Sequence, residues 1–194
     1  AAGHSFWKSI EEIGPKYGYY PNAAKTVLLV KPTLESEAQE LFDPTGIRVL
    51  TNGVRYLGGA IGEKEFVQES LCRHVSVWCR EVGTLSTLAE TQPHAAYSVF
   101  SRGLRSRWRY HMCSHGLPEP DAFGRLDNVI DNNLIPAITG QKNMSTVERS
   151  LIGLPVKSGG LSIPAIGPHA VHQWTSSMAS ARPVIDLLRR PDAD

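Results

Sequence analysis

No stretch of the 194-residue sequence approaches the roughly eighteen consecutive apolar residues a membrane-spanning helix needs, so a helical membrane protein is excluded. Cysteine is scarce: Cys72, Cys79 and Cys113 are an odd three, which is no disulfide framework and suits a reducing, intracellular setting, cytoplasmic or nuclear. Neither charge sign prevails, with 20 Lys+Arg against 19 Asp+Glu, so the chain is not a uniformly basic or acidic binder. No Gly-x-Gly-x-x-Gly opens a helix, and there is no Walker loop, no Gly-x-Ser-x-Gly elbow and no Asp-Asp dipeptide. The sequence signatures of Rossmann dinucleotide sites, P-loops and the α/β-hydrolase nucleophile elbow are therefore missing. The opening Ala-Ala-Gly-His has no initiator Met, basic n-region or apolar h-region, so no signal peptide is expected. Such a start reads as a piece of something longer.

What is present is a hydrophobic content of 41%, enough for a real core at this length, and a segregated charge. Residues 31–70 carry a balance of −3, whereas residues 71–116 carry +4, contributed by Arg73, Arg80, Arg102, Arg105, Arg107 and Arg109 against Glu81 and Glu90. One face, rather than the whole molecule, is thus suited to an anion.

The first third reads as mixed α and β. Phe6, Ile10 and Ile13 recur at helical spacing up to Gly14-Pro15, and Lys25 to Val30 reads as a short buried strand before Pro32. Leu34, Ala38 and Leu41 mark a short helix. Ile47–Thr51 and Val54–Leu57 are strand-like runs around Asn52-Gly53, which predicts a hairpin turn there. From Glu63 the period becomes helical: Val67, Leu71, Val75, Trp78, Val82, Leu85 and Ala89 form one stripe. A second helix starts at Thr91-Gln92-Pro93 and carries Ala96, Phe100, Leu104 and Trp108. A third runs from Phe123 to about Pro136, Ser145–Glu148 is a capping box for a fourth, and Val171 to Ala181 is a fifth, stopped by Pro183. The expected class is α+β, mostly α: a small α/β segment over 1–62, a helical bundle over 63–142 and a helical tail over 143–194.

Three places offer chemistry. Lys25, at the mouth of a strand, suits a fixed charge or proton donor beside an anion, though a lysine there is also simply solvated. Leu57-Gly58-Gly59, directly after a strand, lets backbone approach a ligand, or merely turns. Arg102, Arg105, Arg107 and Arg109 alternate with Trp108 and Tyr110 on one helix. Guanidinium forks suit phosphates, and the aromatics suit stacking on bases. The plain alternative is a solvated helix face with Trp108 in the core beside Phe100 and Leu104. His111, Cys113 and His115 offer soft ligands without a fourth at metal spacing, so no metal site is assigned. His169 and His172 lack a matching ligand, and Asp127 and Asp131 read as a hydrated helix face.

Read together, these pieces resemble the part of a retrotransposon reverse transcriptase that follows its catalytic Asp-Asp. The resemblance runs through the helix Phe6–Gly14, the Gly-x-x-x-Asn-x-x-Lys-Thr motif at Gly18 to Thr26, and the Tyr56-Leu57-Gly58 primer-grip hairpin. It continues through a helical thumb over 63–140 and a Leu-Pro-x-x-x-Gly-Gly-Leu-x-Ile signature at Leu154–Ile163. It implies that Lys25 lies near nucleotide phosphates and protonates departing pyrophosphate. It implies that Leu57, Gly58 and Gly59 position the primer end, and that the thumb tracks an RNA/DNA primer-template duplex. The choice of Arg102, Arg105, Arg107 and Arg109 for its phosphates rests on charge. The family's metal-binding aspartates and fingers would lie upstream, so magnesium belongs to the complete polymerase, no cofactor to this chain, and the chain alone is expected not to polymerise.

A competing expectation is a non-catalytic helical nucleic-acid-binding or interaction module; a third is a small metalloenzyme using His111, Cys113 and His115. The strand near Lys25 is expected to keep an exposed edge, making residues 1–60 poorly behaved alone while 63–140 fold as a bundle.

Overall fold

A computed structural model describes residues 2–115 and 123–189 of the chain. The chain is α+β and mostly α, and it divides into two units, Ala1–Val67 and Gln68–Asp194. Among the described residues no helix is long and apolar enough to cross a membrane.

In the first unit, helix α1 (Ala2–Ile13) turns Trp7 inward against Phe42 and Ile47, with Leu28, Leu41 and Val49 packed around them. Strand β1 (Val27–Leu29) runs parallel to β2 (Arg48–Leu50), and helix α2 (Glu35–Phe42) makes the crossover between them. Parallel neighbours need such a crossover, because a two-residue turn cannot return the chain in the same direction. Strands β3 (Gly53–Tyr56) and β4 (Gly59–Gly62) form an antiparallel hairpin, with Val54 opposite Ile61 and Tyr56 opposite Gly59. Each of the two sheets has two strands among the described residues, so β1 is paired along one edge.

The hairpin expected at Asn52-Gly53 is not there. β2 is taken by β1, Gly53 already belongs to β3, and the chain reverses at Leu57-Gly58. Burial of Ile47 with Phe42 draws β2 onto the crossover unit, and this tertiary gain outweighs the local turn preference of Asn-Gly.

The second unit begins within α3 (Lys64–Ala89), whose expected stripe is realised: Leu71, Val75, Trp78, Val82, Leu85 and Ala89 are buried. Helix α4 (Pro93–Val99), a π-helical turn (Phe100–Leu104) and α5 (Arg105–Ser114) follow without a break. Helix α6 (Gly124–Val129), a second π turn (Ile130–Leu134) and α7 (Ile135–Thr139) repeat that arrangement. Pro136 explains the second π turn. Its ring would clash with the carbonyl four residues back, and widening the helix there relieves the clash. Helix α8 (Thr146–Gly153) starts at the expected capping box: the Ser145 hydroxyl accepts from the Glu148 amide, and Glu148 accepts from the Ser145 amide at 2.8 Å.

Helix α9 (Ile166–Leu188) passes through Pro183 rather than stopping there. Pro183 is exposed, so the carbonyl it frees meets water and the helix continues. α9 packs on α5 and α6, and Ile163, Ile166 and Ala170 join the buried core of the preceding helices. That core centres on Phe100, Trp108, Phe123, Leu126, Ile130, Leu134, Ile163 and Ile166, each at most 1% exposed.

Candidate nucleic-acid interface

The Lys25 turn has a local cause. Asn22 caps a single 3-10 turn by accepting from the Lys25 amide at 3.2 Å, and the Thr26 hydroxyl donates to the Asn22 carbonyl at 2.8 Å. The Asn-x-x-Lys-Thr spacing is therefore a staple that feeds the chain into β1 and leaves Lys25 exposed.

The Leu57-Gly58 turn is strained. Both residues have positive φ, 49° and 82°, as a two-residue turn matched to the strand twist demands. Glycine accepts that backbone freely, whereas leucine there costs about 1 kcal/mol. Leu57 is 78% exposed and Gly58 is exposed, while Gly59 is buried. The turn thus presents two of the three expected contact residues to solvent. Lys25 and this turn belong to the first unit; the arginines belong to the second.

The arginine helix splits into distinct roles. Trp108 is fully buried, its ring 5.7 Å from Phe100 and 6.1 Å from Trp78, centroid to centroid. An indole without exposed surface cannot stack on a base, so Trp108 is a core residue and the stacking expectation is corrected. Arg107 pairs with Glu81 of α3 at 2.8 Å. Arg105 is half-buried and donates to the Ser162 carbonyl. Arg102 and Arg109 are exposed and form no ion pair among the described residues. The structure brings Arg105 and Arg109 to one groove of about 490 Å³ between α5, α9 and the loop joining α8 to α9; Arg102 and Arg107 lie outside it.

The loop that forms the third side of this groove is Leu154–Ile163. Gly159 has φ 85°, and a Cβ on Gly160 would sit 2.1 Å from the Leu154 carbonyl oxygen, so the paired glycines are steric necessities. Three successive carbonyls are held from three helices. The Tyr97 hydroxyl donates to Leu161 at 2.9 Å, Arg105 to Ser162, and Arg149 to Ile163 at 2.6 Å. Arg149 is itself oriented by Asp131 at 2.7 Å. The Asp127 carboxylate accepts from the amides of Ile166 and Gly167 at 2.6 and 2.9 Å, anchoring the start of α9 where the helix dipole favours an anion. Asp127 and Asp131 are therefore anchors rather than a hydrated face. Sequence reading passes over Tyr97 and Arg149 and takes the two aspartates for a hydrated face because their partners lie 14 to 64 residues away.

His169 lines the groove with Gln173. Burial, then the charges of Arg105, His172 and Arg109, push its imidazole below the ordinary range and so favour its neutral form.

His111 and His115 have different neighbours from Cys113. His111 stacks near His74 and His115, with centroids 4.3 and 4.8 Å away, whereas Cys113 reaches Gln173 of α9 at 3.9 Å. Among the described residues no group of three His, Cys, Asp or Glu side chains is placed to hold a metal ion. Burial, then the proximity of His74 and His115, push His111 down to about 4. His115 is also lowered, chiefly by burial.

Comparison with protein-family models, with curated proteins and with solved structures finds no match to this chain.

Proposed function

We propose that the chain is the palm-end and thumb portion of a retrotransposon reverse transcriptase, which holds a primer-template duplex and positions the primer end. The observation that carries the reading is the guanidinium groove. Arg109 and Arg105 converge beside the loop bearing the Leu-Pro-x-x-x-Gly-Gly-Leu-x-Ile signature, and among the described residues no carboxylate lines the groove. Uncompensated guanidinium forks at a concave surface suit phosphodiesters, and they read backbone rather than sequence. In the first unit, the exposed strained turn at Leu57-Gly58 suits a backbone contact to a primer terminus, which would act by orientation. Lys25, exposed at the head of β1, would supply charge or a proton near the nucleotide phosphates. Magnesium would be held by the aspartates of the complete polymerase, so this chain contributes holding and positioning rather than the metal-assisted step.

A second reading, a non-catalytic helical nucleic-acid-binding module, is favoured by the closed core of the second unit alone. The two part on the primer end. Fluorescence anisotropy with a labelled RNA–DNA hybrid should show tighter binding when the hybrid carries a recessed 3′ end, and the preference should vanish in a Gly58→Val variant, whose β-branched side chain disfavours the positive φ of the turn. Equal affinity for recessed and blunt hybrids favours the second reading. The Arg102→Gln/Arg109→Gln variant should flatten the log–log salt dependence by about 0.9 per lost phosphate contact on B-form duplex. Binding unmoved by salt would refute both.

A further inference from the structure

The groove beside α5 holds a group that the duplex-holding reading does not use. His169 stands on α9, one turn into the helix, in the same cavity as Arg105 and Arg109. Gln173, one turn further on, also lines it. The Cys113 thiol donates to the Gln173 side-chain oxygen, which leaves the amide NH2 as a donor. A cavity of about 490 Å³ with two guanidiniums, an imidazole and an amide has donors in excess and no carboxylate among the described residues that line it. That combination is chemically matched to a tetrahedral oxyanion.

We propose that this groove takes one phosphodiester of a nucleic-acid backbone, and that His169 binds it as the imidazolium. The inference rests on the nucleic-acid reading above and adds the site, its ligand set and a proton. In the free chain burial disfavours the charged form of His169, as do three neighbouring bases: Arg105 and Arg109 from α5, and His172 from its own helix. Helix α6 contributes Asp127, already occupied by the amides of Ile166 and Gly167, and exposed Arg125. The joining loop contributes exposed Lys157. Among the described residues no carboxylate lines the groove to stabilise the charged form of His169. A phosphodiester between the guanidiniums supplies the missing negative charge, and the imidazole then gains a proton from solvent as the ligand enters. Affinity rises as the pH falls, by at most tenfold per pH unit for one linked proton.

The test uses the full chain and an RNA–DNA hybrid in isothermal titration calorimetry at pH 6.5, in two buffers of different ionisation enthalpy. The wild-type chain should take up a fraction of a proton per binding event. His169→Gln should abolish that uptake while His172→Gln keeps it. NMR titration of the His169 Cε1–H in the wild type should show its midpoint moving upward when hybrid is added, a readout that does not depend on how a variant folds. Binding without proton uptake, uptake unchanged by His169→Gln, or a His169 midpoint that stays put would overturn the inference and leave duplex binding standing. Failure of the hybrid to bind at all would overturn the underlying reading as well. Inorganic phosphate is the third arm: if it alone at low millimolar concentration reproduces the His169-dependent uptake, the site is for free phosphate and the backbone assignment is wrong.

Discussion

Lowering the pH from 7 to 5 should weaken the second unit through His111. Its imidazole lies 4.3 Å from the ring of His74, 4.8 Å from His115 and 5.2 Å from Trp78, and its Nδ1 is buried without a partner among the described residues. The folded side chain gains its proton only near pH 4, against an ordinary 6.5. Between those values the unfolded chain holds a proton that the folded chain does not. Stability is therefore complete above pH 6.5 and declines as the pH falls toward 4. With these two values the loss between pH 7 and 5 has a ceiling of about 2 kcal/mol. His111 is only half-buried, and water screening brings the expected figure to about 1 kcal/mol. Urea unfolding at both pH values, followed by tryptophan fluorescence, measures it, since Trp78 and Trp108 are buried in this core. The His111→Gln variant removes the titrating group, so its stability difference between the two pH values should shrink by that amount. A variant with the full wild-type pH dependence would refute the argument. His115, lowered in the same direction, should add to the effect, and the double variant His111→Gln/His115→Gln should flatten it further.

Gly160→Ala places a methyl 2.1 Å from one backbone carbonyl oxygen and 2.6 Å from another, and should lower the urea midpoint by the equivalent of about 1–3 kcal/mol. An unchanged midpoint would mean the loop is free to shift. Asp127→Ala removes the acceptor for the Ile166 and Gly167 amides and should cost about 1–3 kcal/mol in thermal denaturation, with Asp127→Asn recovering part of it. Leu57→Gly relieves a left-handed leucine and should add about 1 kcal/mol to the protection of the β3–β4 amides in hydrogen exchange. Faster exchange in that variant would show that the leucine side chain matters more than its backbone.

Much of the molecule was legible from local spacing. The α3 stripe from Leu71 to Ala89 and the Ser145–Glu148 capping box came out as read, because helix periodicity and caps depend on residues three or four positions apart. The turn at Leu57-Gly58 was singled out because glycines following a strand are a local signal, even though the competing Asn52-Gly53 signal failed. The arginine run was also visible, but not its division of labour. Sequence alone could not separate Trp108 in the core from Arg109 in solvent, nor foresee that Arg107 meets Glu81.

By itself the sequence determined which segments are helical, where caps and turns are possible, and which stretch concentrates positive charge. Only the tertiary structure decided that β2 joins β1, that Asp127 anchors α9, and that Tyr97, Arg105 and Arg149 hold three successive carbonyls of one loop. The physical reason is range. A helical period is written within a few residues, whereas a hydrogen bond such as Tyr97 to Leu161 joins positions 64 apart, and the burial that makes it worthwhile exists only once the chain has closed around it.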